Sequence, residues 1–303
     1  MNDHVDDFDS VHDMADEFGL PDAILQPAVR VDVGLPDHRT LSAIKWGTES
    51  PEIVFIHGSG QNAHTWDLVV SLLGRPALAV DLPGHGHSSW RDDRNYTAPA
   101  NAEAVALAVE RLAPHANLVV GMSLGGLTAI SLATGRPGLV RRLLLVDVLP
   151  RSVPRADTTA AGIRGAAALI DGPRVFRSLE EMVATAIAAS PSRLPATTRR
   201  GVINNAQELP DGSWRWRYDD LRTDRGFDPV LAEQLWSDLA GLTIPLALAR
   251  GSRSGFVEDT DLHRFRSAHP HAPVLTIEGS GHSVQGDKPA VLAATIAWCA
   301  RLQ

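Results

Sequence analysis

Short, wholly apolar runs recur along the chain: Ile53-Val54-Phe55-Ile56, Ala77-Leu78-Ala79-Val80, Leu118-Val119-Val120, Leu143-Leu144-Leu145-Val146, Leu246-Ala247-Leu248-Ala249 and Val274-Leu275-Thr276-Ile277. Runs of this length without polar alternation fit strands buried on both faces. Longer amphipathic stretches between them predict helices over about 62–73, 98–113, 124–134 and 287–302. Such alternation describes βαβ units, hence a parallel sheet with helices on both faces. Ahead of it, Ala28–Val33 and Leu41–Lys45 alternate more like an antiparallel pair around the turn-forming Gly34-Leu35-Pro36-Asp37.

The rhythm breaks after Pro150 and resumes near Ile244. The interval is rich in Ala, Arg and helix signals, punctuated by prolines, and carries Trp214-Arg215-Trp216-Arg217-Tyr218. It reads as an inserted, mainly helical cap over residues 150–239, placed above the carboxyl ends of the strands, where open α/β sheets bind ligands. Residues 21–149 and 240–303 then form the core. From Pro150 to Trp236 twelve arginines face eleven acids, so the cap carries no strong pull on an anionic substrate.

Charge changes the picture at one place. The formal net charge is −8, but residues 1–20 hold seven acids and no Lys or Arg, leaving about −1 for the rest. A nearly neutral body gives no electrostatic case for nucleic acid or an anionic membrane as partner. The leader lacks the basic start and apolar centre of a signal peptide, and is expected to be a solvated, mobile tail; a docking element is the alternative. The cytoplasm is the default compartment. The single cysteine, Cys299, sits in an apolar pattern and reads as a buried structural thiol.

Chemistry concentrates at strand ends. Gly121-Met122-Ser123-Leu124-Gly125-Gly126 follows a buried strand and opens a helix. A G-x-S-x-G turn there forces the serine into a strained conformation with its hydroxyl exposed. The Leu124 amide, at a helix start, is an unpaired donor for a developing oxyanion. His57-Gly58-Ser59-Gly60 after Ile53–Ile56 offers a second amide, expected to be that of Ser59, while His57 reads as a structural residue bonded within its loop. Asp81-Leu82-Pro83-Gly84-His85-Gly86-His87-Ser88 forms a tight turn. His64, His85 and His87 lack a further ligand at a metal-like spacing, so no metal is expected. Gly279-Ser280-Gly281-His282, between the last strand and last helix, can swing a base toward Ser123.

Four motifs in this order, HGSG, DLPGHGHS, GMSLGG and GSGH, resemble the α/β-hydrolase superfamily over roughly residues 28–149 and 240–302. The resemblance implies a mostly parallel eight-stranded sheet and a serine hydrolase with nucleophile Ser123, base His282 and oxyanion amides of Ser59 and Leu124. It implies no organic cofactor and no metal. Serine at position 123 argues against epoxide hydrolase and haloalkane dehalogenase chemistry, which use a carboxylate. In most of the superfamily the triad acid follows the strand here spanning Leu246–Arg250, yet Ser254-Gly255 stands where an Asp is expected. Asp147, at the tip of the neighbouring strand, is the favoured acid. Asp259 or Glu258 is the alternative, and Ser254 is then a possible orienting residue. Asp147 could instead be a cap-entry anchor.

The expected reaction is cleavage of a small or medium carboxylic ester. Amide, lactone or carbon–carbon hydrolysis, acyl transfer and perhydrolysis remain alternatives, as does a ligand receptor that retains the triad. Trp66 and Trp214 could line a substrate pocket or pack in cores. Oligomeric state is unknown.

Overall fold

The computed structural model describes residues 11, 15, 16, 18, 19, 26–150, 172–189, 194–220 and 228–302. An eight-stranded sheet is built from β1 (Ala28–Gly34), β2 (Thr40–Trp46), β3 (Ile53–Ile56), β4 (Ala77–Val80), β5 (Leu118–Met122), β6 (Leu143–Val146), β10 (Leu246–Gly251) and β11 (Val274–Ile277). Their order is β1-β2-β4-β3-β5-β6-β10-β11. Only the β1–β2 and β2–β4 pairs are antiparallel. The apolar runs form strands because both sheet faces are covered. Along β3 and β4, Val54, Ile56, Leu78 and Val80 enter one core, while Ile53, Phe55, Ala77 and Ala79 enter the core on the other side.

Helices α1 (Asp67–Leu73), α2 (Ala98–Leu112), α3 (Leu124–Gly135), α7 (Asp259–Ala268), α8 (Val284–Asp287) and α9 (Pro289–Cys299) cover these faces. The segment expected as one helix from about 62 to 73 starts as a 3-10 turn, Ala63–Trp66, with the Asn62 side chain capping the His64 amide. Between β6 and β10, the described residues hold α4 (Leu179–Ala189), α5 (Pro195–Ile203) and α6 (Pro229–Gly241). They also hold a three-stranded sheet, β7 (Val175–Phe176), β9 (Trp214–Trp216) and β8 (Ala206–Glu208), in that spatial order. The alternating aromatics of 214–218 reflect this strand and its continuation. Trp216 and Tyr218 fall on one side and join Phe176, Met182 and Val202 in a separate small core.

Two expectations need correction. Helix α6 was divided by a boundary at 239/240, yet Leu235, Trp236 and Leu239 belong to the main core, so the main core reaches back to α6. The acidic leader was expected to be solvated. Val11 and Ala15, helical and one turn apart, are each 2% exposed and pack on Leu68 of α1. These two apolar residues are packed rather than solvated, and most of the leader lies outside the described residues.

Candidate active site

Ser123 stands between β5 and α3 with φ 51° and ψ −122°. A non-glycine residue in this region costs on the order of 1–3 kcal/mol and persists only where surrounding structure enforces it. Here enforcement comes from close packing. A Cβ on Gly125 would lie 2.2 Å from Ile56 O, so no larger residue lets α3 begin against β3. A Cβ on Gly58 would lie 3.1 Å from Ser123 Cβ, which sets the HGSG loop directly against the serine. The backbone amides of Ser59 and Leu124 donate to no protein acceptor among the described residues.

Parallel pairing of Met122 with Val146 puts Ser123 and Asp147 at equivalent tips of adjacent strands. Asp147 is fully buried and also has positive φ, 51°. Its Oδ1 accepts from the Gly251 amide at 3.0 Å, and its Oδ2 accepts from His282 Nδ1 at 2.7 Å and from the Ser254 hydroxyl. The carboxylate thus fixes the imidazole with hydrogen on Nδ1 and a free lone pair on Nε2. His282 lies flat against Phe256, ring centroids 3.5 Å apart at 9°. The Phe256 amide donates to Ser254 Oγ at 3.2 Å, so Ser254 ties the loop after β10 to the acid. Ser123 Oγ makes no protein hydrogen bond among the described residues, including none to His282. Such bonds tighten when substrate enters.

The alternative acids lie elsewhere. The Asp259 side chain is 100% exposed, 3.8 Å from Arg250, and Glu258 caps the N-terminus of α7 through its amides. Neither meets the imidazole. Trp66 is buried against Phe55, centroids 5.0 Å apart, and belongs to the core below the sheet, which removes it as a pocket residue. Trp214 packs against the small core of the cap.

The loop histidines are structural. His57 Nδ1–H donates to Gly58 O at 2.7 Å and its Nε2 accepts from the Leu82 amide at 2.9 Å. His85 Nδ1–H donates to Pro83 O, and its Nε2 accepts from the Gly60 amide, both at 3.1 Å. Burial, with His57 adding to it, pushes the His85 pKa down to about 3, and burial lowers that of His57. Both rings are therefore neutral acceptors. Asp81 holds the turn that carries His85, accepting from Ala63 and His87 amides and from Arg30. Burial alone would raise its pKa, but the Arg30 charge and the two amide donors together bring it below the ordinary value. His64 binds Asp67 at 2.8 Å, and no group of three or more metal-ligating side chains occurs among the described residues.

A strained serine turn, two amides without protein acceptors among the described residues and an acid–imidazole pair lie at the carboxyl ends of the sheet's parallel strands. A family model described as the alpha/beta hydrolase family matches residues 53–295. The chain belongs to the α/β-hydrolase family. This α/β hydrolase is similar to Esterase Rv0045c of Mycobacterium tuberculosis, 47% identical over 291 residues that span 95% of this chain and 93% of the relative. A crystal structure of that esterase matches with a TM-score of 0.82 at 43% identity, covering 98% of this chain and 99% of that one. The 2-(acetamidomethylene)succinate hydrolase of Mesorhizobium japonicum is 27% identical over 268 residues, 86% of this chain and 91% of the relative. No helix among the described residues of this α/β hydrolase is long and apolar enough to cross a membrane.

Phe256 and the cap residue Asn205, whose side chain donates to Gly60 O at 2.8 Å, carry no motif that marks them in the sequence. Phe256 lies two residues beyond Ser254, and that proximity is its only sequence signal.

Proposed function

We propose that this chain is a serine esterase that cleaves carboxylic esters of small or medium molecules through an acyl-enzyme on Ser123. The observation that carries the reading is the His282–Asp147 contact of 2.7 Å beside the strained Ser123 turn. Ser123 Oγ attacks the ester carbonyl while His282 Nε2 takes its proton. The amides of Ser59 and Leu124 receive the oxyanion, a stabilisation worth about 3–4 kcal/mol per donor. The C–O bond breaks, His282 returns the proton to the leaving alcohol, and the acyl group stays on Ser123. Water then gives a proton to His282 and attacks the acyl carbon, releasing the acid and restoring the hydroxyl. Asp147 holds the imidazole in the required tautomer and stabilises its cation. The named esterase relative at 47% identity supports ester cleavage over the other hydrolytic reactions.

A panel of p-nitrophenyl esters of increasing acyl length, run beside amides and lactones, tests this. Ester turnover that disappears in Ser123→Ala, with fluorophosphonate labelling confined to Ser123, is expected. Unchanged turnover in Ser123→Ala, or faster cleavage of amides or lactones than of any ester, refutes it.

A further inference from the structure

The amide expected to bind the oxyanion is one end of a chain of hydrogen bonds that begins in the cap. Asn205, 7% exposed, follows α5 and extends Nδ2–H to Gly60 O at 2.8 Å. Gly60 C=O and Gln61 N–H are opposite ends of one trans peptide group. Gln61 N–H donates to Gly58 O at 3.2 Å. Gly58 C=O and Ser59 N–H are in turn opposite ends of the next peptide in the chain, and Ser59 N–H has no protein acceptor among the described residues. The series therefore runs Asn205, Gly60–Gln61 peptide, Gly58–Ser59 peptide, oxyanion. Asn62 fixes which way Asn205 faces: its Nδ2 donates to Asn205 Oδ1 at 3.4 Å and to Asn204 O at 2.8 Å.

We propose that Asn205 is a positioning residue for ester hydrolysis, holding the Ser59 amide toward the oxyanion through two intervening peptide groups. This rests on the esterase reading above. Two physical effects act together. Each peptide is planar, so anchoring its carbonyl aims its N–H in the opposite direction. Hydrogen bonds in series also polarise one another, by about 10–30% per bond, making the terminal N–H a stronger donor. His85 steadies the same loop from the opposite side by accepting the Gly60 amide, and His57 shares the Gly58 carbonyl at 2.7 Å. Of the residues that grip this loop by side chain, Asn205 alone comes from the cap among the described hydrogen bonds. Seating of the cap and readiness of the oxyanion hole are thereby linked.

The test compares Asn205→Asp, which cannot donate to Gly60 O, and Asn205→Leu, which is uncharged, with the full-length enzyme. Steady-state kcat and KM on a p-nitrophenyl ester are measured with the inhibition constant of an alkylboronic acid, which forms a tetrahedral adduct on the serine. Removing an oxyanion donor costs about 100- to 1,000-fold, so misaiming one is expected to cost about tenfold to 100-fold. That loss falls on kcat, the boronate constant rises by the same factor, and KM stays within about twofold. Arg200→Met, which loosens the same cap without touching the relay, serves as comparison. The proposal is overturned if both Asn205 variants keep wild-type kcat and boronate binding, if the loss falls on KM or folded fraction alone, or if Arg200→Met reproduces it. Ser123→Ala separates the two readings. If that variant stays active the esterase site itself is wrong, whereas an inactive Ser123→Ala beside unimpaired Asn205 variants removes the relay alone.

Discussion

Replacing Asp147 by Asn changes one atom of a fully buried side chain, and the donors around it decide the consequence. Gly251 N–H faces Oδ1, while His282 Nδ1 and the Ser254 hydroxyl face Oδ2. If the new amide keeps its oxygen toward Gly251, its NH2 meets His282, whose Nδ1 must then accept. The ring hydrogen moves to Nε2, which can no longer take a proton from Ser123. The opposite flip restores the tautomer but sets NH2 against Gly251 N–H, leaving buried donors unpaired at about 1–3 kcal/mol. Either way the imidazolium loses its counter-charge. Two unit charges about 4 Å apart at an effective dielectric of about 20 interact by about 4 kcal/mol. Together these give about 5–7 kcal/mol, roughly 10⁴-fold or more in kcat. The assay is ester turnover with fluorophosphonate titration of competent Ser123, after circular dichroism establishes that the variant is folded. Asp259→Asn, altering a fully exposed side chain, is expected to keep wild-type rates. A folded Asp147→Asn within tenfold of wild type, or a larger loss in Asp259→Asn, refutes the assignment of the acid.

Ser254→Ala removes one of two donors on Asp147 Oδ2 and the Ser254 acceptor of the Phe256 amide; kcat is expected to fall about tenfold, the scale of a hydrogen bond to a charged group, with KM little changed in the same ester assay. Breaking the buried Arg200–Asp67 pair, 2.7 Å, by Arg200→Met leaves a carboxylate buried and is expected to cost about 3 kcal/mol in urea unfolding. Acid stability follows from His85, whose pKa falls from 6.5 unfolded to about 3 folded: below pH 6.5 the unfolded chain binds the proton that the folded one excludes, so stability present above that pH is progressively lost as pH falls toward 3. By pH 5 this single group accounts for about 2 kcal/mol, and His85→Gln, which can still accept from Gly60, is expected to show that much less loss between pH 7 and pH 5 in urea titrations.

The strands of the core were legible because burial on both faces demands uninterrupted apolar residues, and β3, β4, β6 and β11 begin and end where those runs do. The cap was harder to read. Its β7 is two residues long, too short for a periodicity, and α6 carries a face that serves the main core although most of it lies within the insert in sequence. Leader residues Val11 and Ala15 were outweighed by the surrounding acids, since composition averages over a helix face that geometry separates. At the site, Ser123, Asp147 and His282 stand at strand ends, where local sequence signals position. Trp66 shows the limit: a tryptophan just beyond the oxyanion loop has the same sequence signature in a pocket as beneath the sheet. Asn205 was invisible for another reason. Its partner Gly60 lies 145 positions away, and nothing local in either segment announces the contact.

In the esterase proposed above, Asp147, just beyond β6, can serve His282 because β6 and β10 are parallel neighbours that deliver groups to one place. Asp147 N–H bonds Ala249 O at 2.7 Å, and its carboxylate bends under the β10 end to accept Gly251 N–H. The positive φ of Asp147 aims it there, a local cost of about 1–3 kcal/mol that the three hydrogen bonds on its oxygens offset. Gly251 completes the geometry: a Cβ there would sit 2.2 Å from Gly281 O, so only glycine lets the His282 loop close on the strand. The Ser254 hydroxyl, on the loop after β10, donates to the same carboxylate and so ties that loop to Asp147. What the proposed chemistry requires is negative charge against Nδ1, and here the strand end after β6 supplies it while the neighbouring β10 donates to it through Gly251 N–H.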